Sequence, residues 1–275
     1  MRCWQGTPTL MMGAHRHDEI ELNLVLGGSL DYLIAGEHLH VPDETLLMFW
    51  AARPHQLIGV DESVRVHWLT VPIDTFLSWG LPAELRAGLI GGVPHALPVP
   101  GPTQGYGRQW AQWESDLMTG EHELQVTVLL EMEARVRRLA YGGRATPARE
   151  AAAPDLTSDG DAPHEGPSAT TRLIAMAGFI SRHFSEPIAV ADVAAAAHVH
   201  PHHAMTLFRQ ASGMTIGTFV TQCRIAEAQR LLVATDLPVA NIAHAAGFGS
   251  LARFYQAFGA VCGQPPGAYR RRLRS

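Results

Sequence analysis

The sequence contains no lysine, and only 17% of its 275 residues are charged. Because about 25% of the residues in a typical globular protein are charged, this composition argues against a chain that is disordered throughout. No run of apolar residues reaches the roughly 18 of a membrane-spanning helix, and residues 1–17 lack the apolar core of a secretion signal. We therefore expect a folded, cytoplasmic protein with no membrane partner.

Cysteine is scarce, and the motifs of several enzyme classes are missing. Cys3, Cys223 and Cys262 are far apart and form no CxxC pair, which predicts reduced thiols. The chain also lacks a GxSxG elbow, a phosphate-binding glycine loop and an HExxH sequence. These absences predict a protein that is not an enzyme and needs no cofactor.

The net charge of −5 conceals a strong asymmetry along the chain. Residues 1–143 carry 9 arginines and 17 acidic residues, residues 144–171 carry 2 and 5, and residues 172–275 carry 10 and 4. The last part is therefore basic, with a net charge of +6, and is suited to a polyanionic partner. The middle part has four prolines and one large apolar residue, Leu156, which predicts a flexible linker over 144–171.

The basic part contains an internal repeat of about 49 residues. The residues that recur are Val190, Asp192, Val193, Ala194 and Ala197, matched by Val239, Asn241, Ile242, Ala243 and Ala246. The apolar members follow the spacing of a buried helical stripe, and a second helix follows each copy after a turn. This predicts two helix-turn-helix units joined by a long helix over 218–234, with the second turn one residue longer.

The second helix of such a unit packs its inner face on the first and presents its outer face to base edges. Ala204, Leu207 and Phe208 form the inner face in the first unit, as do Phe254, Ala257 and Phe258 in the second. The alternative is an all-helical interaction domain, but the repeat, the positive charge and the terminal arginines favour DNA. The predicted DNA-binding residues are His202, His203, Met205, Thr206, Arg209, Ser250, Leu251, Ala252, Arg253 and Gln256.

Residues 172–273 resemble the DNA-binding domain of the AraC/XylS family of bacterial transcription factors. The resemblance is carried by ADVAAAAHVHPHHAMTLFRQASG, RIAEAQRLLVATDLPVANIAHAAGF and RFYQAFGAVCGQPPGAYRR. It implies two recognition helices in successive major grooves of double-stranded promoter DNA, with RNA polymerase as a partner. The residues that match base-contacting positions are His202, Met205, Thr206, Leu251, Ala252 and Gln256. Ala189 and His200 depart from the family, which often has Ser or Thr caps there.

The acidic first part shows the period-two pattern of β-strands. Ile20, Leu22 and Leu24 alternate with Glu21 and Asn23, and similar alternation follows the turn at residues 27–28 and resumes over 64–68. Short strands at this spacing predict a barrel. The fold class is therefore α+β with two domains. A β-barrel with following helices spans 1–143, and an all-α domain with two helix-turn-helix units spans 172–275.

The pattern His15-x-His17-x3-Glu21, followed by His55, resembles the signature motifs of the cupin fold, which implies a cupin-like β-barrel over 1–143. In metal-binding cupins such residues converge on one ion, because imidazole and carboxylate suit Fe, Mn, Ni or Zn. Sensor cupins of the regulator family often keep similar residues and bind an effector without a metal. We therefore predict no metal, while His15, His17, Glu21 and His55 remain the candidate ligands. The predicted effector-binding residues are His15, His17, Glu21, Asn23, Trp50 and His55, with Trp50 or Trp68 as an apolar surface.

A closer resemblance within the family indicates the class of effector. The segments HRHDEIELNLVLGGSLDYLIAG, LMFWAARPHQLIG and FLSWGLP resemble a sugar-responsive regulator. This implies a small sugar, melibiose or another α-galactoside, as the ligand of the first domain. The protein would then be an activator whose DNA binding responds to that sugar.

Two alternatives stay open. Leu124, Val128, Met132, Val136 and Leu139 form a helical stripe, preceded by Trp110, Trp113 and Leu117. Such helices either cover the barrel or form a homodimer contact, which the family resemblance implies. The second alternative concerns activity, since a metal-dependent cupin enzyme fused to a DNA-binding domain would have the same motifs.

Overall fold

The computed structural model describes residues 1–99, 104–142, 146–147 and 168–274. The strands are β1 (Arg2–Gly6), β2 (Glu19–Leu26), β3 (Leu30–Ile34), β4 (Glu37–Val41), β5 (Thr45–Trp50), β6 (His55–Val60), β7 (Arg65–Pro72), β8 (His95–Pro98) and β9 (Thr146–Pro147). The helices are α1 (Ile73–Ser78), α2 (Ala83–Ile90), α3 (Gln104–Met118), α4 (His122–Gly142), α5 (Ala169–His183), α6 (Val190–Ala196), α7 (Pro201–Ser212), α8 (Ile216–Ala234), α9 (Val239–Ala245), α10 (Leu251–Cys262) and α11 (Pro266–Arg274). Most of the predicted linker lies outside the described residues.

The strands form two antiparallel sheets, so the predicted barrel is not closed among the described residues. One sheet has the order β1-β7-β2-β5-β8-β9 and the other has the order β4-β3-β6. The chain passes between them after β2, where Gly27 adopts a φ of +78°. Apolar side chains from both sheets, among them Val25, Tyr32 and Phe49, share one buried cluster. Side-chain packing therefore holds the sheets together where a barrel would use a continuous ladder of hydrogen bonds.

The larger sheet is covered on both faces, which explains the continuous apolar run of β5. Leu46, Met48 and Trp50 belong to a cluster shared with the helices, whereas Leu47 and Phe49 belong to the cluster between the sheets. This division follows from the alternation of side chains along a strand. The first part of the chain therefore has three layers, with helices on one face of the larger sheet and the smaller sheet on the other.

The predicted helical stripe covers the larger sheet. Val128, Met132 and Val136 are buried in the same cluster as the tryptophans of α3. The stripe is therefore not available for contact between two copies, because its apolar surface is already buried within the domain. The outer face of α4 instead exposes Leu130 and Tyr141, which are 62% and 73% accessible.

The basic part folds into two helix pairs, α6–α7 and α9–α10, with α8 between them. Four residues separate α6 from α7 and five separate α9 from α10. A residue with positive φ lies in each turn, His198 in the first and Gly247 in the second. Helix α8 begins at Ile216, two residues before the predicted start, because the Thr215 hydroxyl accepts a hydrogen bond from the Thr218 N–H.

Helix α8 contributes to the cores of both pairs. Phe219 near its start packs in the cluster of α6 and α7, whereas Leu232 near its end packs with Phe254 and Phe258. The helix thereby fixes the separation of the two pairs. Among the described residues, no helix is long and apolar enough to span a membrane.

The two parts of the chain are packed against each other. Leu33 of β3 joins the apolar cluster of the first helix pair, and α5 packs on β4. At the β3–β4 turn Gly36 has a φ of +91°, and a Cβ atom there would overlap the carbonyl oxygen of Ala177 in α5. Glycine thus allows a close approach of the turn to α5 that any other residue would obstruct.

Candidate functional sites

A cavity of about 430 Å³ opens beside the inner face of the larger sheet. It is lined by Arg2, Trp4, Met11, His15, His17, Glu19, Glu21, Tyr32, His55, Trp68 and Thr70. Strand β2 contributes Glu21, whose cross-strand partner on β7 is Thr70. The alternation that directs Ile20 and Leu22 toward the helices therefore directs Glu21 into this pocket.

Three histidines converge at the pocket. His15 and His17 lie in the segment before β2, and His55 is the first residue of β6. A pair of backbone hydrogen bonds between His15 and His55, of 3.0 and 2.9 Å, brings that segment to the edge of the smaller sheet. Their ring centroids are consequently 4.3 Å apart.

Hydrogen bonding fixes the protonation of His55. Its Nδ1 lies 3.0 Å from the Arg53 carbonyl oxygen and donates a hydrogen to it, because a carbonyl can only accept. Its Nε2 has no hydrogen-bond partner among the described residues and is buried. The neutral ring therefore presents a lone pair within the pocket.

Burial and the carboxylates set the pKa values of the pocket. Burial lowers the pKa of His55 to about 4 and also lowers the pKa of His15. Burial acts in the same direction on His17, but hydrogen bonding and charge from Glu21, with Glu19, raise its pKa overall. Burial of Glu21 favours its neutral form, yet His17 and His55 keep its pKa below the usual value. The pocket thus combines the Glu21 carboxylate with His17, whose protonated form is favoured, and with His15 and His55, whose neutral forms are favoured.

The same histidines are suited to a metal ion. Ligand nitrogens of His15, His17 and His55 lie within 4.8 Å of one another. The carboxylate of Glu21 lies 3.6 Å from His17 Nε2 and 3.7 Å from His55 Nε2. Three imidazoles and a carboxylate would suit a first-row transition metal.

Two tryptophans form an aromatic surface at the pocket. Trp4 of β1 is paired with Trp68 of β7, and their rings stack with centroids 5.7 Å apart and planes at 14°. Trp4 is also 36% exposed, so part of its ring is accessible to a ligand. The pocket therefore offers flat apolar surface next to charged and polar groups.

Two of the predicted effector residues do not line the pocket. Trp50 is buried among the side chains that face the helices. It follows Phe49 in β5 and therefore points to the opposite face of the sheet. Asn23 is fully buried behind the pocket, where its Nδ2 donates to the Tyr32 hydroxyl at 3.2 Å. The pocket is also lined by residues that were not predicted from the sequence, namely Arg2, Trp4, Met11, Glu19, Tyr32 and Thr70. Only the cross-strand pairing of β1, β2 and β7 would have identified most of them.

All ten predicted DNA-binding residues are exposed on α7, on α10 or at the start of α10. The inner residues Ala204 and Phe208 of α7, and Phe254 and Phe258 of α10, are fully buried. Packing thus leaves the opposite faces of both helices accessible to a partner.

Both helix starts are capped by side chains. Ser250 accepts a hydrogen bond from the Arg253 N–H at 3.4 Å. The His200 ring nitrogen Nδ1 accepts one from the His202 N–H at 3.3 Å. An imidazole therefore replaces the hydroxyl that the resemblance leads one to expect at this position.

The terminal arginines are partly engaged within the protein. Arg270 donates to the Leu237 carbonyl at 2.6 Å, and Arg272 forms ion pairs with Asp18 and Asp74. Arg209 is different, because it is exposed beside the N-terminus of α8 in an open groove. A helix N-terminus next to a guanidinium favours an anionic group.

Residues 193–272 match the model of a family described as a helix-turn-helix domain. Along most of its length the chain is similar to the melibiose operon regulatory protein of Escherichia coli K12. The identity is 27% over 269 residues, which cover 96% of this chain and 85% of that protein.

Other relatives match a smaller share of the chain. The transcriptional activator NphR of Rhodococcus is 37% identical over 84 residues, which cover 30% of this chain and 25% of NphR. The C-terminal domain of the response regulator AraT from Geobacillus stearothermophilus is 29% identical with a TM-score of 0.35, covering 36% of this chain and 84% of that domain.

Proposed function

We propose that this chain, as a DNA-binding transcriptional regulator of the AraC family, is an activator controlled by a small sugar bound between its two sheets. Residues 1–143 would form the effector-sensing domain, 144–171 a linker and 172–275 the DNA-binding domain. The sugar we propose is melibiose or another α-galactoside. The resemblance to the melibiose operon regulatory protein supports this class of ligand.

The stacked pair Trp4–Trp68 is the observation that carries the sugar proposal. A pyranose ring has apolar C–H faces that pack on an aromatic ring, and hydroxyl groups that need donors and acceptors. His15, Glu19 and Glu21 line the same cavity as the tryptophans and supply both. At about 430 Å³ the cavity also falls in the range of pockets that bind small ligands.

Thermal denaturation of the full chain with melibiose, methyl α-galactoside and glucose tests this proposal, because a ligand of the folded state raises Tm. We expect an α-galactoside to raise Tm and Trp4→Ala to weaken its binding about tenfold, equivalent to ~1.4 kcal/mol. Tyr255→Ala, which removes an exposed aromatic side chain of α10 outside the pocket, is the control. No Tm shift with any glycoside would refute sugar binding.

For the DNA-binding face we expect two classes of variant. Arg209→Ala should weaken binding to every DNA sequence and reduce its salt dependence, because a phosphate contact is lost. Thr206→Ala and Gln256→Ala should instead alter preference at one or two base pairs, by about 1–3 kcal/mol each. Affinities for a promoter duplex and its single-base variants at several salt concentrations measure both effects.

Arg108→Ala is the control for the loss of one positive charge, since Arg108 is exposed on α3. It should leave the salt dependence unchanged. If Thr206→Ala and Gln256→Ala both retain the base preference of the native chain, the faces proposed to contact DNA are wrong.

Two further partners belong to this proposal. A second copy of the chain would place two DNA-binding domains on repeated promoter sites. The exposed outer face of α4, which includes Val126 and Leu130, is the surface we propose for that contact. RNA polymerase would be the partner through which a bound dimer activates transcription.

A metal-dependent enzyme fused to a DNA-binding domain is the second candidate, and the convergence of three histidines favours it. Metal analysis of the purified protein separates the two candidates. Near-stoichiometric metal that is lost in His15→Ala together with His17→Ala would support the enzyme. A metal-free protein that still binds its sugar would exclude it.

A further inference from the structure

We propose that residues 13–18, named here the bridging segment, transmit occupancy of the pocket to both helix pairs of the DNA-binding domain. This inference rests on the proposed function and specifies how the sensing site is coupled to DNA binding. Its basis is that neighbouring residues of one short segment contact the pocket and the DNA-binding domain.

The odd-numbered side chains of the bridging segment belong to the pocket. His15 and His17 line the cavity, and Glu21 lies within 3.6 Å of the His17 ring. Backbone hydrogen bonds from the N–H groups of His15 and His17 to His55 and Ala51 hold the segment against the sheets. A ligand that displaces either imidazole therefore acts directly on this segment.

Other groups of the segment contact the first helix pair. The Ala14 N–H donates to the Ser212 carbonyl at the end of α7, with a distance of 2.8 Å. Gly13 packs so closely on this helix end that an added Cβ would lie 2.8 Å from the same Ser212 oxygen. Arg16 reaches further and donates a hydrogen bond to the Gln229 side chain of α8.

Asp18 connects the segment to the second helix pair. Its Oδ1 accepts hydrogen bonds from the Tyr269 hydroxyl at 2.7 Å and from Gln229 Nε2 at 2.9 Å. Its Oδ2 lies 3.1 Å from Arg272 Nη2. Tyr269 and Gln229 are both fully buried, and Tyr269 packs in the core that contains Phe258 of α10. One carboxylate thus holds α8 and α11 next to the pocket.

This arrangement couples the free energy of sugar binding to the free energy of DNA binding. His17 and Asp18 are consecutive residues, and both are held by hydrogen bonds or ion pairs, so a displacement of the backbone at His17 also displaces the Asp18 carboxylate. A sugar that binds differently before and after this movement must change DNA affinity, and couplings of this kind are typically about 5-fold to 150-fold. The coupling is reciprocal, so DNA must change sugar affinity by the same factor.

Asp18→Asn tests the proposal, and Asp74→Asn is its control. Both variants remove a carboxylate that pairs with Arg272, but Asp74 lies in α1 outside the bridging segment. For each protein the measurement is the ratio of Kd values for a promoter duplex without and with saturating melibiose. We expect a change of at least fivefold in the native chain and in Asp74→Asn, and of less than twofold in Asp18→Asn.

Tyr269→Phe removes a single hydroxyl and keeps the test available if Asp18→Asn does not fold. It should reduce the ratio as well, while melibiose affinity stays within about threefold of the native value. Retention of the native ratio in folded Asp18→Asn or Tyr269→Phe would overturn the proposal.

Failure of the proposed function is recognised separately, because the native chain then shows no response to melibiose. In that case the bridging segment is tested without a ligand, through the DNA affinities of Glu21→Gln, Tyr269→Phe and the double variant. The substituted side chains contact the segment from opposite sides, so their effects should differ from additivity by at least twofold. Additive effects, which are usual for independent sites, would overturn the coupling.

Discussion

Gly36→Ala should lower the free energy of unfolding by about 2 to 5 kcal/mol, combining the cost of a positive φ with that of a steric overlap. The φ of Gly36 is +91°, which a residue with a side chain adopts at a cost. The added Cβ would also overlap the Ala177 carbonyl of α5, so either the β3–β4 turn or the helix must move. Urea denaturation of the full chain measures this loss.

Gly120→Ala separates strain from overlap. Gly120 has a φ of +75°, but no atom of the described residues lies within 4 Å of a Cβ placed there. This control should lose only about 1–2 kcal/mol, the cost of the backbone conformation. If Gly36→Ala and Gly120→Ala lose the same free energy of unfolding, the close contact between the β3–β4 turn and α5 does not contribute to the loss.

Lowering the pH from about 6.5 to about 4.5 should reduce the free energy of unfolding by about 2 kcal/mol through His55 alone. Burial holds the pKa of His55 at about 4 in the folded chain, against an ordinary value of 6.5. In this pH window the unfolded chain takes up a proton that the folded chain does not, so acid favours unfolding. The lowered pKa of His15 acts with the same sign.

The other charged groups facing His55 do not reverse this effect. The pKa of His17 is raised in the folded chain, so its contribution to stability is present below its pKa in the unfolded chain. This contribution therefore persists throughout the pH window. The pKa of Glu21 is lowered in the folded chain, so its contribution to stability is present above the ordinary glutamate pKa of 4.5. Urea denaturation at pH 6.5 and 4.5 should show a smaller difference in His55→Gln than in His40→Gln, which alters an exposed histidine. An equal difference in both would exclude His55 as the cause.

The helical part of the fold was the more predictable from sequence. Its repeat places Val193 and Ile242 at matching positions, and both are fully buried. Helix packing depends on local periodicity, which a single sequence displays. Closure of a barrel depends instead on which distant strands pair, and the residues of β2 and β3 are compatible with one sheet or with two.

The pocket was predictable where its residues share a motif. His15, His17, Glu21 and His55 line it, although they come from three places in the chain. The face that a tryptophan occupies was not predictable in β5, because a strand buried on both sides has no polar residue to mark its orientation. Trp68 faces the cavity and Trp50 does not, and this difference depends on strand register.

The N-terminal strand shows the limit of short signals. Residues 2–6 were not predicted as a strand, since five residues of mixed polarity resemble many loops. Their pairing with β7 places Trp4 on Trp68 and Arg2 opposite Thr70. Those contacts arise from pairing with a strand some sixty residues away, which no local pattern encodes.

Helix α8 contributes to the cores of both helix pairs. The angle between the two pairs about the α8 axis therefore depends on the length of this helix. Phe219 and Leu232 are separated by thirteen positions, or about 20 Å of helix. One inserted residue between them would rotate the second pair by about 100° about the helix axis and advance it by about 1.5 Å. The outward faces of α7 and α10 would then change their relative direction by the same angle. An insertion of seven residues would nearly restore the angle, within about 20°, but would increase the distance between the two helix pairs along α8.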